Sequence, residues 1–147
     1  MKKVMIAYVS RTGNTKLIAE NLAEGIRMTG NDVVVKKIAD IKNGEDINGY
    51  DGYLFGSPTY HRDMMNPMKT FLFLLEKAEV GGKLAGAFGS YTHSGDATKI
   101  ILDTMEHVFQ MKPSDLGSIN LLEKVVDTDD GRKAGHDYAK AFVEELG

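Results

Sequence analysis

The residues with the most chemistry in this chain fall in three short segments. Ser10–Arg11–Thr12–Gly13–Asn14–Thr15 supplies three hydroxyls, an amide and a glycine able to turn tightly. A helix that follows it adds unpaired backbone N–H groups and a positive dipole end, which together cradle an anion. The same residues also suit a plain strand-to-helix turn capped by Thr12 or Asn14. No Gly-Lys-Ser/Thr closes the segment, and it lacks three spaced glycines, so neither the nucleoside-triphosphate nor the dinucleotide pattern applies. Short hydroxyls suit one phosphate monoester better than a pyrophosphate. The second segment is Ser57–Pro58–Thr59–Tyr60–His61–Arg62. Its aromatic and two basic side chains can surround a flat anionic ring, or Tyr60 can cover a core edge with Arg62 in solvent. The third is Gly89–Ser90–Tyr91–Thr92–His93–Ser94–Gly95. Its glycines let backbone approach a ligand beside Tyr91 and His93, and Thr92 or Ser94 equally suits a helix cap. Together the three describe a cleft with a phosphate end and a flat aromatic end.

Alternating elements must position these segments. Val4–Val9, Val33–Ile38, Tyr53–Phe55 and Leu84–Phe88 read as short buried strands, with a fifth inside Met111–Ile119, where Pro113 and Gly117 blur its limits. Lys36–Lys37 suggests that the second strand lies at a sheet edge. Period-3.6 stripes predict helices over Asn14–Thr29, from Asn66–Pro67 through Leu75, over Asp96–Gln110 and over Asp129–Leu146. The third should turn Ile100, Ile101, Met105 and Val108 inward, and the last Ala134, Tyr138, Ala141 and Phe142. Ile41–Gly49 is a polar connector. Strand and helix alternate about five times. The fold expected is therefore α/β, a three-layer, doubly wound, five-stranded parallel sheet forming one domain over residues 1–147. Ligands in such sheets sit beyond the carboxyl ends of the strands, where the three segments lie.

Composition narrows the function. The chain has 147 residues, 42% hydrophobic and 27% charged, with 18 basic against 21 acidic residues for a net charge of −3. This balance argues against nucleic acid as a partner. Cys is absent, which excludes disulfides, thiol nucleophiles and Cys-ligated clusters. No stretch is apolar enough to span a membrane and no cleavable leader is evident, so a cytoplasmic location is expected. His61, His93, His107 and His136 show no ligand spacing, and no metal is expected. Asp127, Asp129 and Asp130 read as a solvated turn before the last helix. Met64, Met65 and Met68 read as core filling or as a soft apolar rim for a partner. Tyr50 and Tyr53 read as packing.

These segments, at these spacings, resemble the flavodoxin family over essentially the whole chain. The resemblance rests on Tyr8–Thr15, on Gly56–Tyr60 and on Gly89–Gly95, and the length is that of the short-chain form. The second and third segments also resemble flavodoxin-like domains of diiron flavoproteins and quinone reductases. The resemblance implies FMN as cofactor. Ser10, Thr12, Asn14 and Thr15, with backbone N–H groups of Arg11 to Thr15 and the turn at Gly13, would hold its phosphate. Thr59 would lie near the ribityl chain and ring, with Ser57 and Pro58 also among the cofactor-binding residues. Tyr60 would cover one ring face, Tyr91 or His93 the other, with His61 and Arg62 nearby. Backbone from Ser90 through Thr92 to Gly95 would reach the pyrimidine edge. It implies a one-electron carrier with transient redox protein partners, as a monomer or weak dimer, and no catalytic side chain. The alternatives are an FMN-dependent NAD(P)H:quinone reductase and a flavin-free scaffold.

Three departures from the family bear on its flavin site. No Trp is present to stack on the ring, and Tyr60 must serve. His61 stands where many flavodoxins have Gly, whose peptide turns over on one-electron reduction. Positive φ costs a residue with a β-carbon roughly 1 kcal/mol, equivalent to about 40 mV for one electron. Less stabilisation of the one-electron-reduced ring is therefore expected. Carrier flavodoxins are usually strongly acidic. A charge of only −3, with Arg62, His61 and His93 near the ring, predicts a second potential less negative than theirs.

Overall fold

In the computed structural model, which describes residues 1–147, five strands run parallel in the order β2-β1-β3-β4-β5. They are β1 Lys3–Tyr8, β2 Asp32–Lys37, β3 Gly52–Gly56, β4 Leu84–Tyr91 and β5 Lys112–Leu122. The helices are α1 Asn14–Met28, α2 Asn66–Phe73, α3 Asp96–His107, a single turn α4 Glu123–Val126, and α5 Asp129–Leu146. The predicted connector carries a 3₁₀ turn at Gly44–Ile47.

Strand alternation builds two cores. Along β1, Val4, Ile6 and Tyr8 face α1 and α5, while Met5 and Ala7 face α2 and α3. Sixteen buried residues form the first core and twenty the second, which makes the predicted three layers. The exposed surface is 7421 Å², close to the roughly 7,500 Å² that size scaling gives. Strand β2 lies at an edge, as Lys36–Lys37 suggested. The chain leaves β1 for the β2 side and returns for β3 on the other side. This reversal opens the crevice in which such sheets bind ligands.

Met64 and Met68 are core, and so are Tyr50 and Tyr53, whose rings meet edge to face at 5.8 Å. The Tyr53 hydroxyl donates to the Ile47 carbonyl at 2.5 Å, and burial pushes its pKa up to about 12. Thr128 caps α5 by accepting from Gly131 N–H at 3.1 Å, so the acidic turn before it is a helix start.

Strand β5 runs past the expected Ile119 to Leu122, and three further elements differ from the sequence expectation. Strand β4 runs to Tyr91, three residues past Phe88, because Gly89, Ser90 and Tyr91 pair with Asn120, Leu121 and Leu122. The first half of the third segment is thus strand. Helix α3 stops at His107 rather than Gln110. Gln110 takes φ 55° and its carbonyl accepts from Gly82 N–H, which turns the chain toward β5 and leaves Val108 56% exposed. On α5 the buried stripe is Gly131, Gly135, Ala139, Phe142 and Val143, with Ala134 and Ala141 only half-buried. Close approach to α1 selects the glycine-bearing face: a β-carbon on Gly135 would meet Asn21 Cβ at 2.9 Å.

Strand β5 accommodates Pro113 and Gly117 through an irregularity. Its register jumps between Pro113, opposite Ala85, and Ser118, opposite Ala87. Glu145 of α5 closes the bulge, accepting from the Ser114 hydroxyl and from Asp115 N–H at 3.1 Å.

Candidate functional site

The first segment leaves β1 and enters α1 through Gly13, at φ 93°. No side chain caps this helix, so the Thr12 or Asn14 cap is not formed. The Asn14 amide instead donates to the Thr12 hydroxyl at 3.1 Å. Ser10 Oγ accepts from Gly13 N–H at 3.1 Å and from Lys16 N–H at 3.4 Å, which curls the loop around the helix end. The backbone N–H groups of Arg11, Thr12, Asn14 and Thr15 make no hydrogen bond within the protein. The first turn of α1 carries no acidic residue, whereas those of α3 and α5 do. Free donors and an uncompensated dipole therefore meet at the start of α1, a combination suited to a dianionic phosphate. Thr15 itself is buried, and its hydroxyl meets Ser90 Oγ at 3.3 Å, tying α1 to β4.

The second segment leaves β3 as a framework, then a tip. Ser57 is fully buried; its Oγ accepts from Met65 N–H at 3.0 Å and donates to the Pro58 carbonyl at 2.9 Å. Its hydroxyl is thus committed to the loop. Thr59 N–H donates to the Ser90 carbonyl at 3.1 Å, and Thr59 Oγ1 accepts from Ala97 N–H at 3.1 Å. Thr59 thereby caps α3 from 38 residues away, in place of the Thr92 or Ser94 cap read from the sequence; the N-cap position of α3 is Gly95, without a side-chain bond. Ser94 donates to Asp96 at 2.8 Å instead.

The tip is a tight turn. Tyr60 N–H donates to Asp63 O at 2.7 Å and Asp63 N–H returns to Tyr60 O at 3.0 Å. The two residues between, His61 and Arg62, both have positive φ, at 52° and 61°. This is type I′ geometry, which favours Asn-Gly. Asp63 anchors the turn through Lys69, whose hydrogen bond holds the Asp63 carboxyl below the usual carboxylate range. Two β-carbons in the left-handed region store strain at the site. His61→Gly and Arg62→Gly are each expected to stabilise the flavin-free protein by up to about 1 kcal/mol, raising Tm by about 2–4 °C. Thermal melts check this, with Gln110→Gly, at φ 55° away from the site, as the reference. No rise in either variant would show the turn to be unstrained.

Tyr60 is 49% exposed. Its ring lies 4.3 Å from that of His61, steeply inclined, and 4.7 Å from the Arg11 guanidinium. In the third segment Ser90 is buried, Tyr91 half-buried, and Thr92 and His93 exposed. Thr98 fixes the segment's exit: its Oγ1 lies 3.2 Å from the Gly95 carbonyl and 2.9 Å from Asn120 Oδ1. Beneath the cleft two glycines allow close packing. A β-carbon on Gly56 would sit 2.1 Å from the Phe88 ring, and one on Gly89 would sit 2.2 Å from the Ser57 carbonyl oxygen.

The structure thus brings all three segments to one end of the sheet, at the carboxyl ends of β1, β3 and β4. Sequence reasoning missed the remote cap by Thr59 and the anchors Asp63, Lys69, Thr98 and Asn120. Asp63, three residues after Tyr60, was the available signal for a closed turn. Elsewhere, on α3, exposed Asp103 and His107 with half-buried Glu106 bring ligand atoms within 4.8 Å, with Asp103 already paired to Lys99 at 3.1 Å.

A doubly wound parallel sheet with free N–H donors at β1–α1 and a half-exposed aromatic beside them is the architecture of mononucleotide-binding α/β proteins. Residues 5–120 match the family model described as a flavodoxin domain. The chain belongs to the flavodoxin family. It is 34% identical over 113 residues to a flavodoxin of Maridesulfovibrio salexigens, covering 72% of this chain and 77% of that one. It is 30% identical over 151 residues to flavo-diiron protein FprA2 of Clostridium acetobutylicum, covering 96% of this chain but 36% of that one. The chain thus spans about a third of that relative's length. A solved flavodoxin from the domain Archaea superposes with a TM-score of 0.88 at 29% identity over 98% of both chains. Membership carries FMN as the cofactor. The free donors at α1 and the open face of Tyr60 fit that cofactor. No helix is long and apolar enough to cross a membrane.

Proposed function

We propose that the chain holds FMN with its phosphate in the Ser10–Thr15 cradle and its ring against Tyr60, and passes single electrons between transient protein partners. The single observation that carries this is the set of four unpaired N–H groups at the acid-free start of α1. Ser10 shapes the cradle and Thr15 fixes it to β4. Thr59 and Asp63 hold the turn that presents Tyr60, and the backbone from Ser90 to Gly95 borders the far side. When bound, FMN supplies the reversible uptake of electrons; the protein supplies binding, orientation and electrostatics. No nucleophile or general acid is required, and the likeness to flavodoxins favours a carrier over an NAD(P)H:quinone reductase. Partners of such carriers dock through small interfaces steered by charge.

The test compares FMN with riboflavin, which lacks the phosphate, by fluorescence-quenching titration. Hydrogen bonds to a charged group contribute about 1.5–3 kcal/mol each. FMN is therefore expected to bind at least about a hundredfold more tightly than riboflavin. Equal affinities would sink the phosphate-cradle reading.

A further inference from the structure

We propose that Arg11 is a positioning residue for Tyr60, coupling occupancy of the phosphate cradle to the seating of a flat ring. The inference rests on the FMN reading above and concerns a residue that reading leaves without a side-chain role. Arg11 lies in the cradle loop, and Tyr60 lies in the turn after β3, 49 positions along the chain. The Arg11 guanidinium carbon sits 4.7 Å from the Tyr60 centroid, within cation–π range. Arg11 is exposed and has no carboxylate partner, so its charge is free to rest on the ring.

Tyr60 needs such a support. Both hydrogen bonds of its turn are backbone bonds, which fix the chain but not the side chain. Its hydroxyl makes no hydrogen bond within the protein, and half of the residue is exposed. The aromatic and cationic neighbours that hold its ring are His61, on the same strained turn, and Arg11, from the other loop. Of these two, Arg11 is the one that ties the ring to a second element. The backbone N–H of the same residue is one of the cradle's free donors. A phosphate that orders the Arg11 backbone also orders the guanidinium, and through it the ring. Filling one end of the cleft thereby organises the other.

The discriminating ligand is riboflavin, because no phosphate contact can then account for an effect of Arg11. Full-length wild-type protein, Arg11→Gln, Tyr60→Leu and the double variant are titrated with riboflavin and with FMN. Arg11→Gln is expected to weaken riboflavin binding by about two- to fivefold, the scale of an exposed cation–π contact. In the Tyr60→Leu background the same change should have no effect on riboflavin. In the flavin-free protein, the Arg11 side-chain resonances should be shifted upfield by the Tyr60 ring current, and Tyr60→Leu should abolish that shift. A loss confined to FMN overturns the proposal, because Arg11 then acts only as a phosphate cation. Tighter riboflavin binding by Arg11→Gln also overturns it, because the guanidinium then occupies the ring's own seat. Absence of the ring-current shift overturns the contact itself. Failure of wild-type protein to bind either ligand overturns the FMN reading and the positioning role together, and is thereby distinct from the other outcomes.

Discussion

Gly89→Ala is expected to cost about 3 kcal/mol, the upper end of overpacking effects, and to lower Tm by about 6–12 °C. The added β-carbon would stand 2.2 Å from the Ser57 carbonyl oxygen and 3.3 Å from Thr98 Cγ2. The first of these atoms is backbone and cannot rotate away. Ser57 N–H is held by the Phe88 carbonyl at 3.1 Å and Thr59 N–H by the Ser90 carbonyl at 3.1 Å, so β4 and the second segment are stitched on both sides of the clash. Relief requires the two to part, and the Thr59 cap on α3 parts with them. The stability loss should therefore be accompanied by weaker flavin binding. Gly81→Ala is the control, since its β-carbon would meet nothing within 4 Å. Thermal melts of both variants, with and without FMN, check this. A Gly89→Ala melt within 2 °C of wild type (less than about 1 kcal/mol) would mean that the contact relaxes freely.

That prediction turns on a residue whose meaning the sequence left half-open. The run Gly89 to Gly95 reads locally as a loop, because Gly and Ser disfavour strands. Pairing with Asn120 to Leu122, set by the course of β5 beyond its bulge, overrides this preference. The end of α3 failed for a similar reason. The stripe through Val108 continues in the sequence, but Gln110 turns the chain where β5 must begin. What sequence could show was period: β1, α1, β3 and the sheet edge signalled by Lys36–Lys37 all emerge from local pattern. The loop with its free donors was legible because its parts are contiguous. The anchors were not, because Thr59 to Ala97, Thr98 to Asn120 and Thr15 to Ser90 are bonds between residues far apart in the chain. The sequence places a positive-φ cost at His61 only on one-electron reduction, whereas His61 already has φ 52° in the structure. The extension of that strain to Arg62 follows from the two hydrogen bonds that close the turn at Asp63.

Asn14→Asp is expected to move stability and FMN binding in opposite directions. The substitution is nearly isosteric and sits at the first residue of α1, whose first turn lacks any acidic side chain. A carboxylate there meets the positive end of the helix dipole and the unpaired N–H groups. Such placement stabilises by about 0.3–1 kcal/mol, which for a chain of this size raises Tm by about 1–4 °C. The local contact survives in reversed sense, since the Thr12 hydroxyl, 3.1 Å from the Asn14 amide nitrogen, can donate to a carboxylate in its place. The same carboxylate lies where a phosphate would bind. It repels that dianion and competes for its donors, so FMN affinity should fall by at least about tenfold, or 1.4 kcal/mol. Riboflavin carries no phosphate and should bind the variant as it binds wild type. On the proposed reading, the uncharged first turn of α1 costs stability and leaves its donors available to a phosphate. Melts of the flavin-free protein and paired titrations with the two ligands test both halves. Equal losses for FMN and riboflavin would show that the new carboxylate disturbs the ring's seat rather than the cradle, and an unchanged FMN affinity would place the phosphate elsewhere.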